Sequence, residues 1–441
     1  MASDRHPLDR LAPELTLLDA TLLVVSSVIG VGIFLTPGAV ADALPGRTAF
    51  LAAWAFGGLL SLAGALANAE LGAMYPRAGG DYVYLREAWH PLAGFVVGWL
   101  SFFVIYAGTV ATLAVGFAEG LANFVPLDAG ARTGIAVAMT LATSAIHLRG
   151  VRLAAWLNNV TAGLKIIALA ALAVIGPLLI RGAPPPPAAV AGGGGVTALG
   201  FGLALSPILF SYLGWNASVY VASEMRRPER DIPLSLFLGL AISTAIYLAV
   251  NLAYLSALPI EAMRGEVHVG EAAARVFFGD RGAVIAAILI LGSILSCLNA
   301  TILVGPRIAY AMALDGLFFR SVQSVHERWR TPHVAIFVQA AAAVALILLL
   351  KRFPSVLDYT TFAIVLATMA DTAALYALRR RYPHRERPYR AWGYPVVPAL
   401  YLVANSAIAL AMLWGRPLEC AAALAVTATA LPAYAFFVRR D

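Results

Sequence analysis

The chain has 441 residues, of which 61% are hydrophobic and only 12% charged, with a mean hydropathy of +0.80. An ordinary soluble domain carries about 25% charged residues, so this composition excludes a water-solvated globule and makes lipid a large part of the solvent. The net charge of +7 sits in short loops between apolar runs, a pattern of membrane orientation rather than a nucleic-acid-binding stripe.

Residues 1–19 mix Arg5 and Arg10 with four acids and lead into a long apolar run without a small-residue cleavage site, which is unlike a cleaved signal peptide. A span needs roughly 20 apolar residues. The hydropathy pattern predicts spans at 17–41, 48–74, 92–119, 131–148, 153–180 and 198–223. It predicts six more at 233–257, 282–312, 333–350, 355–378, 393–414 and 418–438. An even number places both termini on one side. The loops on that side carry about twice as many Lys and Arg as the opposite ones, which predicts cytoplasmic termini in the cell (inner) membrane.

The first span contains Gly30-Val31-Gly32 and then Pro37-Gly38. Glycine weakens a helix interior by about 1 kcal/mol relative to alanine, and unpaired backbone at membrane depth survives only where it lines a cavity. The pattern predicts an unwound segment whose free N–H groups, aided by the following helix dipole, suit an α-carboxylate. The sixth span has its own interruption in Ser206-Pro207 and Phe210-Ser211-Tyr212-Leu213-Gly214-Trp215-Asn216, where free carbonyls could accept an ammonium group. The plain alternative is that these glycines only allow close helix packing. Interruptions in the first and sixth spans open both halves of a possible five-plus-five repeat, which points to a transporter site. No residue-level repeat is visible.

Lys165 lies inside the fifth span. Intramembrane lysines are costly and functional by default, although snorkelling is the bland reading. Glu70 and Glu224 end the second and sixth spans before arginine-bearing loops, as inner gates or interfacial charges. Asp371 is a candidate gate or structural pair, and His147 is expected at the interface. Spans one, three, six and eight carry no acid at mid-depth, which favours a neutral zwitterion. Residues 182–195, GAPPPPAAVAGGGG, read as a linker, and the acidic stretch 259–281 as short surface helices over the outer mouth. Cys297 and Cys420 read as small buried hydrophobes. Neither metal-ligand spacing nor a paired catalytic constellation is present, and no cofactor, enzyme activity or obligatory protein partner is expected.

Several segments together resemble the amino acid–polyamine–organocation superfamily, and within it bacterial members of the L-type amino acid transporter branch. They are Val28–Phe34, Glu70–Leu85, Glu224–Pro233, Arg307–Gly316 and Arg387–Arg390 with Gly393-Tyr394-Pro395. The resemblance implies an all-α membrane protein of twelve transmembrane helices, with a LeuT-type inverted repeat and discontinuous helices one and six. The divisions would be a cytoplasmic 1–16, a first repeat 17–181, an external linker 182–197, a second repeat 198–380, and helices eleven and twelve in 381–441.

It further implies that the Val31 and Gly32 amides hold a substrate carboxylate. Carbonyls of Val28, Ile29, Phe210 and Leu213 would hold the amine, with Phe210 as outer gate. Ser211 and Gly214 complete the site, and Trp215 and Asn216 couple it to helix six. Lys165 would take the place of a sodium ion, with Ser296 and Thr301 as its helix-eight partners. The expected activity is sodium-independent exchange of neutral L-amino acids by alternating access; proton symport through Lys165, or a binding-only sensor, are the alternatives. Val31 stands where the family usually has Ser, and Leu213 where Gly or Asp is frequent.

Overall fold

The computed structural model describes residues 9–44, 46–122, 124–180, 198–266, 268–350 and 353–439. The expected linker 182–195 and the first eight residues lie outside them. Every predicted span is helical, and the described residues contain no β-strand, only an isolated bridge between Leu15 and Met225.

The first span is split. Helix α1 (Leu17–Val28) starts at a Thr16 capping box with Asp19, which satisfies two of its free amides reciprocally. The chain unwinds over 29–31 and resumes as α2 (Gly32–Leu35) and α3 (Pro37–Ala43), joined through helical Thr36. Helix α4 (Arg47–Met74) is unbroken; α5 (Asp81–Ala88) is a short helix beyond it. The third span runs as α6 (Pro91–Trp99), a wider π-helical stretch Leu100–Tyr106, and α7 (Ala107–Leu121). Helices α8 (Ala129–His147) and α9 (Val151–Leu179) complete the first half.

The sixth span is split as predicted, into α10 (Ala198–Tyr212) and α11 (Ala217–Tyr220). Helix α12 (Pro228–Ala257) follows. The acidic stretch forms α13 (Ile260–Met263) and α14 (Val269–Phe278), and they cover the α2–α3 end: Gly38 abuts the Met263 and Glu266 carbonyls, and Gly270 abuts Phe34. The eighth span divides into α15 (Asp280–Val304) and α16 (Pro306–Leu314). Helices α17 (His333–Leu350), α18 (Phe353–Arg381), α19 (Val396–Gly415), α20 (Pro417–Ala428) and α21 (Ala430–Val438) finish the chain.

Among the described residues, 9 helical stretches are long and apolar enough to cross a membrane. The predicted fourth span does not meet both measures, and the sixth and ninth are shorter apolar helices. Exposed Leu164, Ile167, Val174, Phe337, Leu400 and Leu410 put apolar side chains on the outer surface, as lipid contact requires. Inside, glycines let backbones approach. Along α4, a Cβ at Gly58 would lie 3.0 Å from the Tyr212 hydroxyl, and one at Gly64 would lie 3.0 Å from Trp215. This packing seats the broken sixth span against α4.

Candidate functional site

The two breaks interlock. A Cβ at Gly32 would lie 2.8 Å from the Cα of Ser211 in α10, and one at Gly214 would lie 2.8–3.0 Å from Ser27 in α1. Each span therefore needs a glycine where the other's backbone crosses it. Gly214 also has φ +91°, a conformation that side chains disfavour.

Breaking a helix frees backbone groups, and their partners are specific. Tyr247 of α12 places its hydroxyl 2.7 Å from the Val28 carbonyl and 2.6 Å from the Ser211 carbonyl, one phenol bridging both breaks. Lys165 Nζ donates to the Ile29 carbonyl and, at 3.3 Å, to the Ser26 carbonyl. The Cys297 thiol reaches the same Ser26 carbonyl at 3.2 Å. Ser26 and Ser296 join hydroxyls at 2.6 Å. At the start of α2 no side chain caps the helix, which leaves its first amides available.

Lys165 does not snorkel. Asn158, Ala162, Lys165, Leu169 and Leu172 form the buried stripe of α9, while Leu164 and Ile167 face outward. The ammonium is thus delivered to the unwound backbone, where a cation among carbonyls is favourable.

A cavity of about 110 Å³ opens at the breaks. Its wall includes Val28, Gly30, Val31, Gly32 from the first break and Phe210, Ser211, Leu213, Gly214, Asn216 from the second, with Thr301 opposite. Four expected residues do not line it. Ile29, Lys165 and Ser296 stand behind the first break, and Trp215 packs on Gly64. Thr301 bonds to the Cys297 carbonyl at 2.8 Å and not to Lys165, so only Ser296 joins the Lys165 network, through Ser26.

The structure adds residues that the sequence reading missed. Tyr106, Thr109, Tyr220, Cys297, Thr368 and Asp81 also line the cavity. Asp81 corrects the expectation that no acid is near. It follows two glycines of positive φ, Gly79 and Gly80, and a Cβ at Gly80 would lie 2.6 Å from the Tyr220 ring. That tight turn sends α5 back to the cavity floor, where Tyr220 donates to Asp81 at 2.5 Å and Asn216 donates to Tyr220 at 3.1 Å. The consecutive glycines before Asp81 were the available signal. His147 is corrected too: it is buried and bonded to Asn299 at 2.8 Å, because α8 packs on α15. Cys297 is buried as expected, and its thiol also reaches into the network of the first break.

The end of the molecule bearing the N-terminus is tied shut by ion pairs. Arg307 of α16 grips Glu224 through two bonds of 2.6 and 3.0 Å, both residues being buried. Glu70 accepts from Arg379 at 2.9 and 2.5 Å, Arg387 at 3.0 Å and the Ala391 amide at 2.6 Å. Both acids find partners far along the chain rather than in the loops that follow them. The N-terminal segment closes over this end, with Leu15 donating to the Glu224 carbonyl and accepting from Arg226.

Comparison with known proteins agrees with this geometry. The amino acid permease family model matches residues 15–431. The chain is 31% identical to the "Serine/threonine exchanger SteT" of Bacillus subtilis (strain 168), over 96% of each chain. It is 27% identical to the human "b(0,+)-type amino acid transporter 1", over 92% of this chain and 84% of that one. It is also 27% identical to the human "Large neutral amino acids transporter small subunit 2", over 96% and 80%. With two interlocked helix breaks around one cavity and a family match along nearly its whole length, the chain belongs to the amino acid permease family of the amino acid–polyamine–organocation superfamily, as a multi-pass, L-type-like membrane transporter.

Proposed function

We propose that the protein exchanges neutral L-amino acids across the cell membrane, independently of sodium, by alternating access. The observation that carries this reading is the Lys165 ammonium, which donates to the Ser26 and Ile29 carbonyls of the first break. A fixed cation there supplies the positive charge that a bound sodium would otherwise supply, so no ion gradient is needed to order the break. The α-carboxylate lies on the Val31 and Gly32 amides, and the ammonium group takes carbonyls of the two breaks, among them Phe210 and Leu213. The Ile29 carbonyl faces Lys165 and keeps one lone pair to offer, whereas the Val28 carbonyl already accepts from the Gly30 amide and from Tyr247. The small cavity with threonine hydroxyls at 109, 301, 360 and 368 suits a short polar or apolar side chain. The names of the relatives, a serine/threonine exchanger and a large neutral amino acid transporter, support a neutral substrate.

The architecture we assign is twelve membrane-spanning helices in a LeuT-type inverted repeat, with 17–181 and 198–380 as its halves and 381–441 adding two helices. Packing supports it, since contacts pair up between the halves. The first span lies on α12 as the sixth lies on α4, and α9 packs on α15 as α18 packs on the third span. The charge bias of the loops supports cytoplasmic termini, which makes the ion-paired end the inner face.

The test is efflux from preloaded proteoliposomes with each proteinogenic amino acid outside, with and without sodium or pH gradients. Exchange predicts efflux stimulated by a neutral subset and indifferent to sodium. Efflux that no outside amino acid stimulates refutes exchange; uptake driven by a pH gradient alone would favour symport.

A further inference from the structure

We propose that the Asp81 and Asp371 carboxyls together form a proton site beneath the substrate cavity, connected to it by the Asn216–Tyr220 hydrogen-bond relay. Asp81 arrives on α5 and Asp371 on α18, and their carboxyls face each other with no exposure worth the name, 1% and 0%. Asp81 Oδ2 accepts from Tyr220 and, at 3.5 Å, from Ser101. Its Oδ1 and both oxygens of Asp371 meet no donor among the described residues. Asn68 of α4 is turned toward Asp371; it is wholly buried, and neither atom of its amide is paired.

Among the described residues, the surroundings offer no positive charge to two carboxylates. The titratable groups that face the pair are phenols, Tyr84 from α5, Tyr106 from the third span, Tyr220 from α11 and Tyr401 from α19. Arg379, two turns along α18, is engaged by Glu70. Like charges side by side in a dry site cannot both persist. One proton between Asp81 Oδ1 and Asp371 removes the repulsion and gives these buried oxygens the donor they lack.

The relay gives the proton a consequence. Asn216 lines the cavity, Tyr220 connects it to Asp81, and Asp81 binds α5 to α18 through the shared proton. Opening the ion-paired end parts α11 from these elements and wets the carboxyls; the proton then leaves to water, and it is taken back from water on closing. This consequence rests on the transport reading, whereas the proton itself does not.

Infrared spectra of the protein in lipid at neutral pH test the site without any transport. The expected result is the carbonyl stretch of a protonated carboxylic acid, shifted by deuterium and lost in an Asp81→Asn/Asp371→Asn double variant. A wild type without that band, or a double variant that keeps it, overturns the proposal. If the double variant fails to fold, Asp371→Glu keeps the pair and must move the band; an unmoved band overturns it equally. The coupling is read from exchange against pH. Wild-type turnover should fall with the protonated fraction, about tenfold per pH unit past the midpoint, and the profile of Asp371→Asn should be flat over that range. Identical profiles would sever the proton from the transport cycle.

Discussion

Gly32→Ala tests the interlocked breaks directly. The added methyl would sit 2.8 Å from the Cα and Cβ of Ser211, and nearer still to its hydroxyl. Carbon atoms rest at about 3.5–4.0 Å, so α10 must retreat from α2 by close to 1 Å. The nearest atoms include backbone, so no rotamer change relieves the contact. Overpacking of this kind costs about 1–3 kcal/mol, a loss a protein of this size can tolerate while remaining folded. Function is more exposed, because the same shift moves the Val31 and Gly32 amides relative to Ser211 and Gly214. A displacement near 1 Å at a positioned site can cost about 10²-fold. We expect exchange in proteoliposomes to fall by one to two orders of magnitude, with monodisperse protein on size exclusion and a modest drop in melting temperature. Gly163→Ala, where a methyl meets nothing within 4 Å, is the control and should exchange at the wild-type rate. Ser211→Gly on the Gly32→Ala background removes the hydroxyl and Cβ and should restore melting temperature in part. Wild-type exchange by Gly32→Ala would refute the claim that the closeness of the two breaks defines the substrate site.

Three further outcomes follow from the same contacts. Lys165→Ala leaves the Ile29 carbonyl unpaired, at about 1–3 kcal/mol, and leaves the Ser26 carbonyl only its Cys297 partner. Exchange should be lost at unchanged surface expression; unchanged uptake across pH would remove Lys165 from the mechanism. Tyr247→Phe removes the single hydroxyl that lies between the Val28 and Ser211 carbonyls, and substrate affinity measured by scintillation proximity should weaken by about tenfold, as loss of roughly 1.4 kcal/mol implies. Glu224→Gln should lower the melting temperature sharply, since stranding one member of a buried ion pair costs about 3–5 kcal/mol. A Glu224→Met/Arg307→Met double variant should recover much of that stability in a thermal-shift assay.

Much of this protein could be read before folding because its strongest signals are local. Lipid imposes long apolar runs, and helix interruption is written in single residues: Gly30, Gly32 and Gly214, with Pro207 about two turns before the last. The breaks fell where those residues stand, and ten of the fourteen expected site residues came together around one cavity. Lys165 was legible for the same reason, since a lone lysine in hydrocarbon must find a partner.

What the sequence could not supply is which distant groups meet. The fourth, sixth and ninth segments are helical as their patterns predict, yet they fall short of a span by length and apolarity alone. Glu224 precedes three arginines in its own loop, but its partner is Arg307, eighty-three positions away. Asp81 lies between the second and third predicted spans, and only the turn at Gly79-Gly80 carries it under the cavity. Tyr247 looks like any membrane tyrosine until α12 sets it between two unwound carbonyls. Composition and spacing determine where a helix can exist in lipid and where it must break, because those preferences are settled within a turn or two of chain. The partners that satisfy the broken backbone, and the acid at the floor of the site, are decided by helix packing, which brings together residues hundreds of positions apart.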